Sequence, residues 1–213
     1  MGYGGLDPVA LGLLKDMKHP GGNVTGIANW GPGIWGKRLE LLRQWLPRIL
    51  RVAAIYNPDE PNALDAFTAV RDYANRLGIQ IEPLAARNPA EIRAAMALLG
   101  NNRPDALLIL YDAANLVSRE LICKEAIRMR LPTMADVSQY TSFGCLAAYG
   151  TAAFEAAREG ARILSDILHG ASPADIPMRQ PTRSEFIINA RTAAEIGLDI
   201  PPSVRLLADR VIE

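Results

Sequence analysis

The sequence predicts an α/β protein on a parallel, Rossmann-like sheet, with one near-complete lobe mid-chain and remnants of a second at both ends. Three observations lead there. Between residues 51 and 150, short β-rich segments alternate with helix-length amphipathic ones, the rhythm of parallel strands joined by right-handed crossovers. RVAAIY (51–56) and DALLILYD (105–112) are apolar on both faces, as central strands are. The flanks hold isolated helix and strand candidates but no complete alternating unit.

Taken in order, the first element is a short helix over about 8–18, followed by HPGGNVTG (19–26). Those glycines lack the Lys-Ser/Thr ending of a phosphate cradle and precede a strand candidate, VTGIANW (24–30), so they read as a turn. A helix over 34–46 places Leu39, Leu42 and Trp45 or Leu46 on one face. After RVAAIY comes the turn NPDEPN, where Asp59 or Glu60 precedes Pro61 in the first turn of a helix. Ala63, Phe67, Val70, Ala74 and Leu77 form its buried stripe, and Gly78 supplies a left-handed stop.

IQIEPL (79–84) is the next strand, and NPAEIRAAMALLG (88–100) a turn, a helix with Ile92, Met96 and Leu99 inward, and a glycine exit. DALLILYD leads to a helix over ANLVSRELICKEAIRMR (114–130), a strand in LPTMAD (131–136) and a last apolar segment, GCLAAYG (144–150). Beyond stand a long helix over 151–169 with Ala153, Ala157, Gly160, Leu164 and Leu168 as its stripe, a strand in EFIINA (185–190), a short helix in RTAAEIGL, and a tail. The expected organisation is residues 1–32 as a first-lobe remnant, 33–148 as the second lobe, and 149–213 as a return to the first.

Composition narrows the function. Lys+Arg and Asp+Glu are both 23, which leaves no basic excess for nucleic acid. No stretch reaches the roughly 18 apolar residues of a membrane span. MGYGGLDPVA lacks the charged and apolar regions of a signal peptide. Cys123 and Cys145 lack a CxxC spacing and read as two buried thiols, and His19 and His169 have no ligand-like neighbours, so no metal site is expected. GxSxG, GxGxxG after a strand, GxxxxGK[ST] and HExxH are all missing from the sequence. Asn23-Val24-Thr25 fits a glycosylation sequon, which has force only in a eukaryotic secretory route.

Several separated motifs, in register along nearly the whole chain, resemble the ABC transporter solute-binding proteins of the tryptophan-binding type. They are DPVALGLLKDMKHPGGNVTGIANW, GKRLELLRQWLP, RVAAIYNPDEPNA, DALLILYD, LPTMAD and the closing GASPADIPMRQPTRSEFIINARTAAEIGLDIPPSVRLLADRVIE. The resemblance implies a type I periplasmic-binding-protein fold with a small solute held between two lobes. It implies an ABC permease as partner and a periplasmic or lipid-anchored extracytoplasmic location; read from Met1 without a signal peptide, the chain would be cytoplasmic. Family members carry several strand–helix units before the Asp-Pro-Val turn, here Asp7-Pro8-Val9, so the chain is expected to lack most of the first lobe.

In an open parallel sheet, ligands collect beyond the carboxyl ends of the strands. That rule nominates Tyr56, Asn57, Asp59, Glu60 and Asn62 after the first central strand, Asp112 at the end of DALLILYD, and Asp136 at the end of LPTMAD. The helix N-terminus behind Pro61 suits a carboxylate, and an acidic side chain at a strand end suits an ammonium group. Asp7 is the candidate from the first lobe. Asn57, Asp59, Asn62 and Asp112 are equally read as turn and cap residues. Asp136 stands where the family carries a small or hydroxyl residue, and Trp35 where it carries a small aliphatic one; Trp30, Trp35 and Trp45 are read either as stacking partners of a ligand or as core.

The expected function is therefore capture of an amino acid or related carboxylate, with no cofactor and no catalysis. Closure would hinge near Asn29–Gly33 and Tyr149–Thr151. Two alternatives stand beside it: an interaction module that forms a homodimer through exposed first-lobe surface, and a phosphoryl-transfer enzyme built on Asp112, Asp136 and Asp59, which lacks a lysine at a strand end.

Overall fold

The computed structural model describes residues 8–9, 12–28, 33–100, 102–180 and 183–213. Two compact units form, one from Met1–Gly31 with Thr151–Ser184, the other from Pro32–Gly150 with Glu185–Glu213. The second carries the sheet. Its elements are α1 (Gly33–Trp45), β1 (Arg51–Tyr56), α2 (Pro61–Leu77), β2 (Gln80–Ala85), α3 (Pro89–Leu99), β3 (Ala106–Ile109), α4 (Ala113–Val117), α5 (Arg119–Arg128) and β4 (Thr133–Ala135). A 3-10 turn (Ser138–Phe143), β5 (Ala147–Thr151), β6 (Ser184–Asn189), α7 (Ala190–Ile196), α8 (Pro202–Arg205) and β7 (Arg210–Ile212) complete it, while α6 (Ala153–Leu168) belongs to the first unit.

The strands lie in the order β2-β1-β3-β4-β5-β6-β7. β1 runs parallel to both β2 and β3, and β3–β4, β4–β5 and β6–β7 are parallel as well. Side chains of a strand alternate between faces, so β1 feeds two cores at once. Val52, Ala54 and Tyr56 join Leu39, Leu42, Trp45, Phe67 and Val70 on one side. Ala53 and Ile55 join Ile92, Met96, Ile122 and Cys123 on the other. Four buried positions in a row in β3 follow from the same sandwiching. At the sheet's edge β2 carries Pro83, and Arg51 pairs with Glu82 across it at 2.6 Å.

Local signals explain the helix ends. Pro61 opens α2, and Gly78 closes it at φ 69°, where a side chain would be strained. The Asn88 side chain accepts from the backbone of Ala90 and Glu91 and caps α3.

Five expectations change. The helix expected over 8–18 is not found among the described residues: Gly12 sits at φ 68°, and the Asp16 side chain accepts from the Lys18 and His19 backbone, holding a turn instead. The strand expected over 24–30 reduces to a single bridge, Ile27 with Arg179, its last two residues lying outside the described ones. The helix over 114–130 breaks at Ser118 (φ −91°, ψ 8°), because α4 is pinned at the strand ends whereas α5 must lay Ile122, Cys123 and Ala126 on the sheet. Residues 185–213 lie with the sheet and not with 151–184, since Phe186, Ile187 and Ile188 complete its interior. Cys123 and Cys145 form a disulfide, Cα atoms 4.7 Å apart, because the inward face of α5 meets the segment entering β5. Closing a loop of 22 residues stabilises a fold on the order of 3 kcal/mol.

In the first unit, the chain after Gly21 (φ 72°) runs beside residues 174–179. The Gly21 N–H donates to Ala174 O, Met178 to Met17 O, and Ala28 to Arg179 O. Gly21 is thus the elbow read from the sequence. Helix α6 buries Ala156 and Ile163, whereas Leu164 and Leu168 of its predicted stripe are exposed, together with Phe154.

Candidate functional site

The carboxyl ends of β1, β3 and β4 gather most of the predicted residues, and the order among them comes from the backbone outward. Asp112, fully buried, caps α4 by accepting from the Asn115 N–H at 2.6 Å. Its other oxygen accepts from the Asn57 N–H at 2.9 Å and from Asn115 Nδ2 at 2.6 Å. Asn115 Nδ2 also donates to Ile55 O and Leu110 O, so one amide ties the ends of β1 and β3 together. Asn57 Oδ1 accepts from the Asp59 N–H, and Glu60 Oε1 accepts from the Ala113 N–H at 3.2 Å. This network fixes the loop behind β1. It consumes both Asp112 oxygens in doing so.

Other predicted residues serve different ends. Tyr56 is 7% exposed and stacks on Phe67, with ring centres 4.4 Å apart, which makes it core. Asp59 is exposed and pairs with Arg87 at 3.1 Å. Asn62 presents a buried, unpartnered Oδ1. Trp45 donates from Nε1 to Asp199 O and belongs to the core. Asp7 and Trp30 lie outside the described residues, as do positions 29–32 of the expected hinge.

Asp136, at the end of β4, is buried beside a residue that sequence reasoning passed over. Arg38 of α1 is buried as well; its Nε donates to Tyr149 O at 2.7 Å and its Nη2 to Asp136 O at 3.4 Å. Its guanidinium lies 4.3 Å from the Trp35 ring centre, which gives that unusual tryptophan a cation–π partner. Gly150 adjoins these contacts: a Cβ there would meet Asp136 O at 1.8 Å. The signal for Arg38 was a cation one residue from Leu39 on an otherwise apolar helix face, inside the quoted motif GKRLELL.

Burial sets the electrostatics. Desolvation raises the Asp112 carboxyl to about 6 against the pull of the Asn115 and Asn57 N–H groups. Desolvation likewise raises Asp136 to about 6, opposed by Arg38, and lowers Arg38 to about 10, opposed by Asp136. Tyr140 lies nearby with a buried, unpartnered hydroxyl pushed well upward by burial and by the two carboxyls.

Two concavities lie elsewhere. One of about 630 Å³ sits at the amino ends of the strands, between Ile49, Asp105, Pro132 and Leu198. The other, about 490 Å³, belongs to the first unit and is rimmed by the ion-paired Glu155, Arg158, Glu159, Arg162 and Arg179. No cluster of three or more metal-ligating side chains occurs among the described residues.

A family profile described as "ABC transporter substrate binding protein" matches residues 3–212. A tyrosine-binding protein of Clostridioides difficile (strain R20291) is 27% identical over 205 residues, covering 96% of this chain and 57% of that protein. An ABC domain in complex with L-Trp from Streptococcus pneumonia is 26% identical with a TM-score of 0.86, covering 97% of this chain and 69% of that one. A ligand-free, open substrate-binding protein with adhesive properties from Clostridium difficile is 25% identical with a TM-score of 0.73, over 97% and 68%. The chain thus spans little more than half the length of the curated relative it matches.

Proposed function

We propose, from the premise that this chain belongs to the ABC transporter substrate-binding protein family, that it captures a small solute, an amino acid or related carboxylate, for delivery to an ABC permease. The match over residues 3–212 carries the proposal. The relatives described as binding tyrosine and tryptophan supply the ligand class. No bond is made or broken in this function; binding and release deliver the solute. The polar network on Asn57, Asp112 and Asn115 supports it by ordering the loop behind β1, where a ligand of an open sheet sits. In this reading Asp112 orders that loop, while Asn57, Glu60, Asn62 and Asp136 remain candidates for contact, as does Asp7.

Location outside the cytoplasm is part of the same proposal. The Cys123–Cys145 disulfide favours it, because disulfides persist in oxidising compartments and are rare in the cytosol. The test is a thermal-shift screen of the chain against the twenty amino acids, since a ligand that binds only the folded state raises its melting temperature. At least one amino acid should shift it by several degrees; a flat response across all twenty sinks the reading. A second reading, a homodimer, is favoured by one observation, the exposed Phe154, Leu164 and Leu168 of α6.

A further inference from the structure

Arg38 and Asp136 leave one donor and one acceptor over. Arg38 is 3% exposed and Asp136 5%. Two guanidinium nitrogens are spent on the Tyr149 and Asp136 carbonyls, but Nη1 is buried with no hydrogen-bond partner, and so is Asp136 Oδ1. Neither orphan satisfies the other, although the two charges interact. Buried polar atoms are almost always paired, and leaving a charged one unmade is costly. An opposite-signed pair of such atoms at the carboxyl ends of β4 and β5 is the pattern that a dipolar guest would complete.

We propose that Arg38 Nη1 and Asp136 Oδ1 form a two-ended clamp for a zwitterion, the guanidinium taking the α-carboxylate and Asp136 the α-ammonium. The proposal rests on the amino-acid reading above and, of the two strand-end carboxyls Asp112 and Asp136, gives the ammonium site to Asp136. Both Asp112 oxygens already accept from Asn57 or Asn115, whereas Asp136 Oδ1 has no hydrogen-bond partner. Arg38 is pre-oriented for its part: two carbonyls fix its plane and the Trp35 ring covers it. A fixed guanidinium recognises a carboxylate with little further ordering. Both atoms are covered in this structure, so a guest reaches them only when that cover opens.

The experiment is calorimetric titration of the chain with L-tyrosine and L-tryptophan, their α-amides and their N-acetyl forms, after the twenty-amino-acid screen. Wild type should prefer at least one free amino acid over both of its derivatives by tenfold or more. Asp136→Asn, nearly isosteric, should lose the preference over the N-acetyl form and keep that over the amide; Arg38→Gln should do the reverse. Should Arg38→Gln fail to fold by circular dichroism, Asp136→Asn and the wild-type derivatives decide alone. Derivatives that bind as well as the free amino acid, or an Asp136→Asn variant with undiminished discrimination, overturn the clamp while leaving amino-acid capture intact. Binding of neither tyrosine nor tryptophan, with another amino acid active in the screen, moves the same comparison to that amino acid's derivatives. No binding by any of the twenty overturns both.

Discussion

Asp112 and Asp136 stand at equivalent ends of neighbouring strands, yet their surroundings give them different work. Asp112 spends its oxygens on backbone and amide donors, whereas Asp136 keeps one unspent. They share an elevated affinity for protons, both carboxyls being raised to about 6 by burial. In the unfolded chain they release their protons near 3.8. Between those two values the folded state binds more protons, so acidification from pH 7 to 5 should stabilise the fold, by roughly 1.4 kcal/mol per carboxyl. Glu91 and Asp16, whose carboxyls are lowered by backbone donors, lose their contribution only below about pH 4.5, outside most of that window. Urea midpoints at pH 5.5 and 7.5 measure the slope, which Asp136→Asn should reduce by roughly half. A stability that rises from pH 5.5 to 7.5 contradicts the assignment.

At the scale of elements, the packing of β4, β5 and α1 depends on one missing side chain. Gly150 has no space for a Cβ because backbone, not a yielding side chain, stands 1.8 Å from where it would be. Gly150→Ala should therefore cost about 3 kcal/mol or more, read as a lowered urea midpoint. Gly36→Ala faces the half-buried Tyr73 ring, which can rotate away, and should cost less. The strands and α2 were legible because their patterns are local: two-faced apolar runs, Pro61 and Gly78, and a helical stripe from Ala63 to Ala74. What escaped was tertiary. Nothing in ANLVSRELICKEAIRMR marks Ser118 as a break, and no spacing shows that Cys123 meets Cys145 across the sheet's flank. Arg38 escaped for the same reason: its partners are carbonyls 98 and 111 residues away.

For the whole molecule, the two compact units account for the division of labour seen in the sequence. The sheet-bearing unit was foreseen over 33–148, but its last strands come from 185–213, because EFIINA is as apolar as any central strand. The first unit has no such sheet among its described residues and leaves Phe154 and Leu168 of α6 at 78% and 76% exposure. If that stripe joins two copies, sedimentation at rising concentration should show a monomer–dimer equilibrium that Phe154→Asp abolishes without lowering the melting temperature. A monomer at every concentration refutes the homodimer.

The other route by which α/β chains associate is edge-to-edge growth of their sheets, and Pro83 bears on it. In β2 the N–H groups of Gln80 and, just beyond the strand, Ala86 point inward, to Leu50 O and Tyr56 O. By alternation the outward-facing donors are those of positions 81, 83 and 85. Position 83 has none to offer. An incoming strand from another chain would find the middle rung of that ladder gone, a block to polymerisation that costs the fold nothing, since no inward hydrogen bond is lost. At the opposite edge β7 is only three residues long. Both margins thus resist uncontrolled growth into fibres.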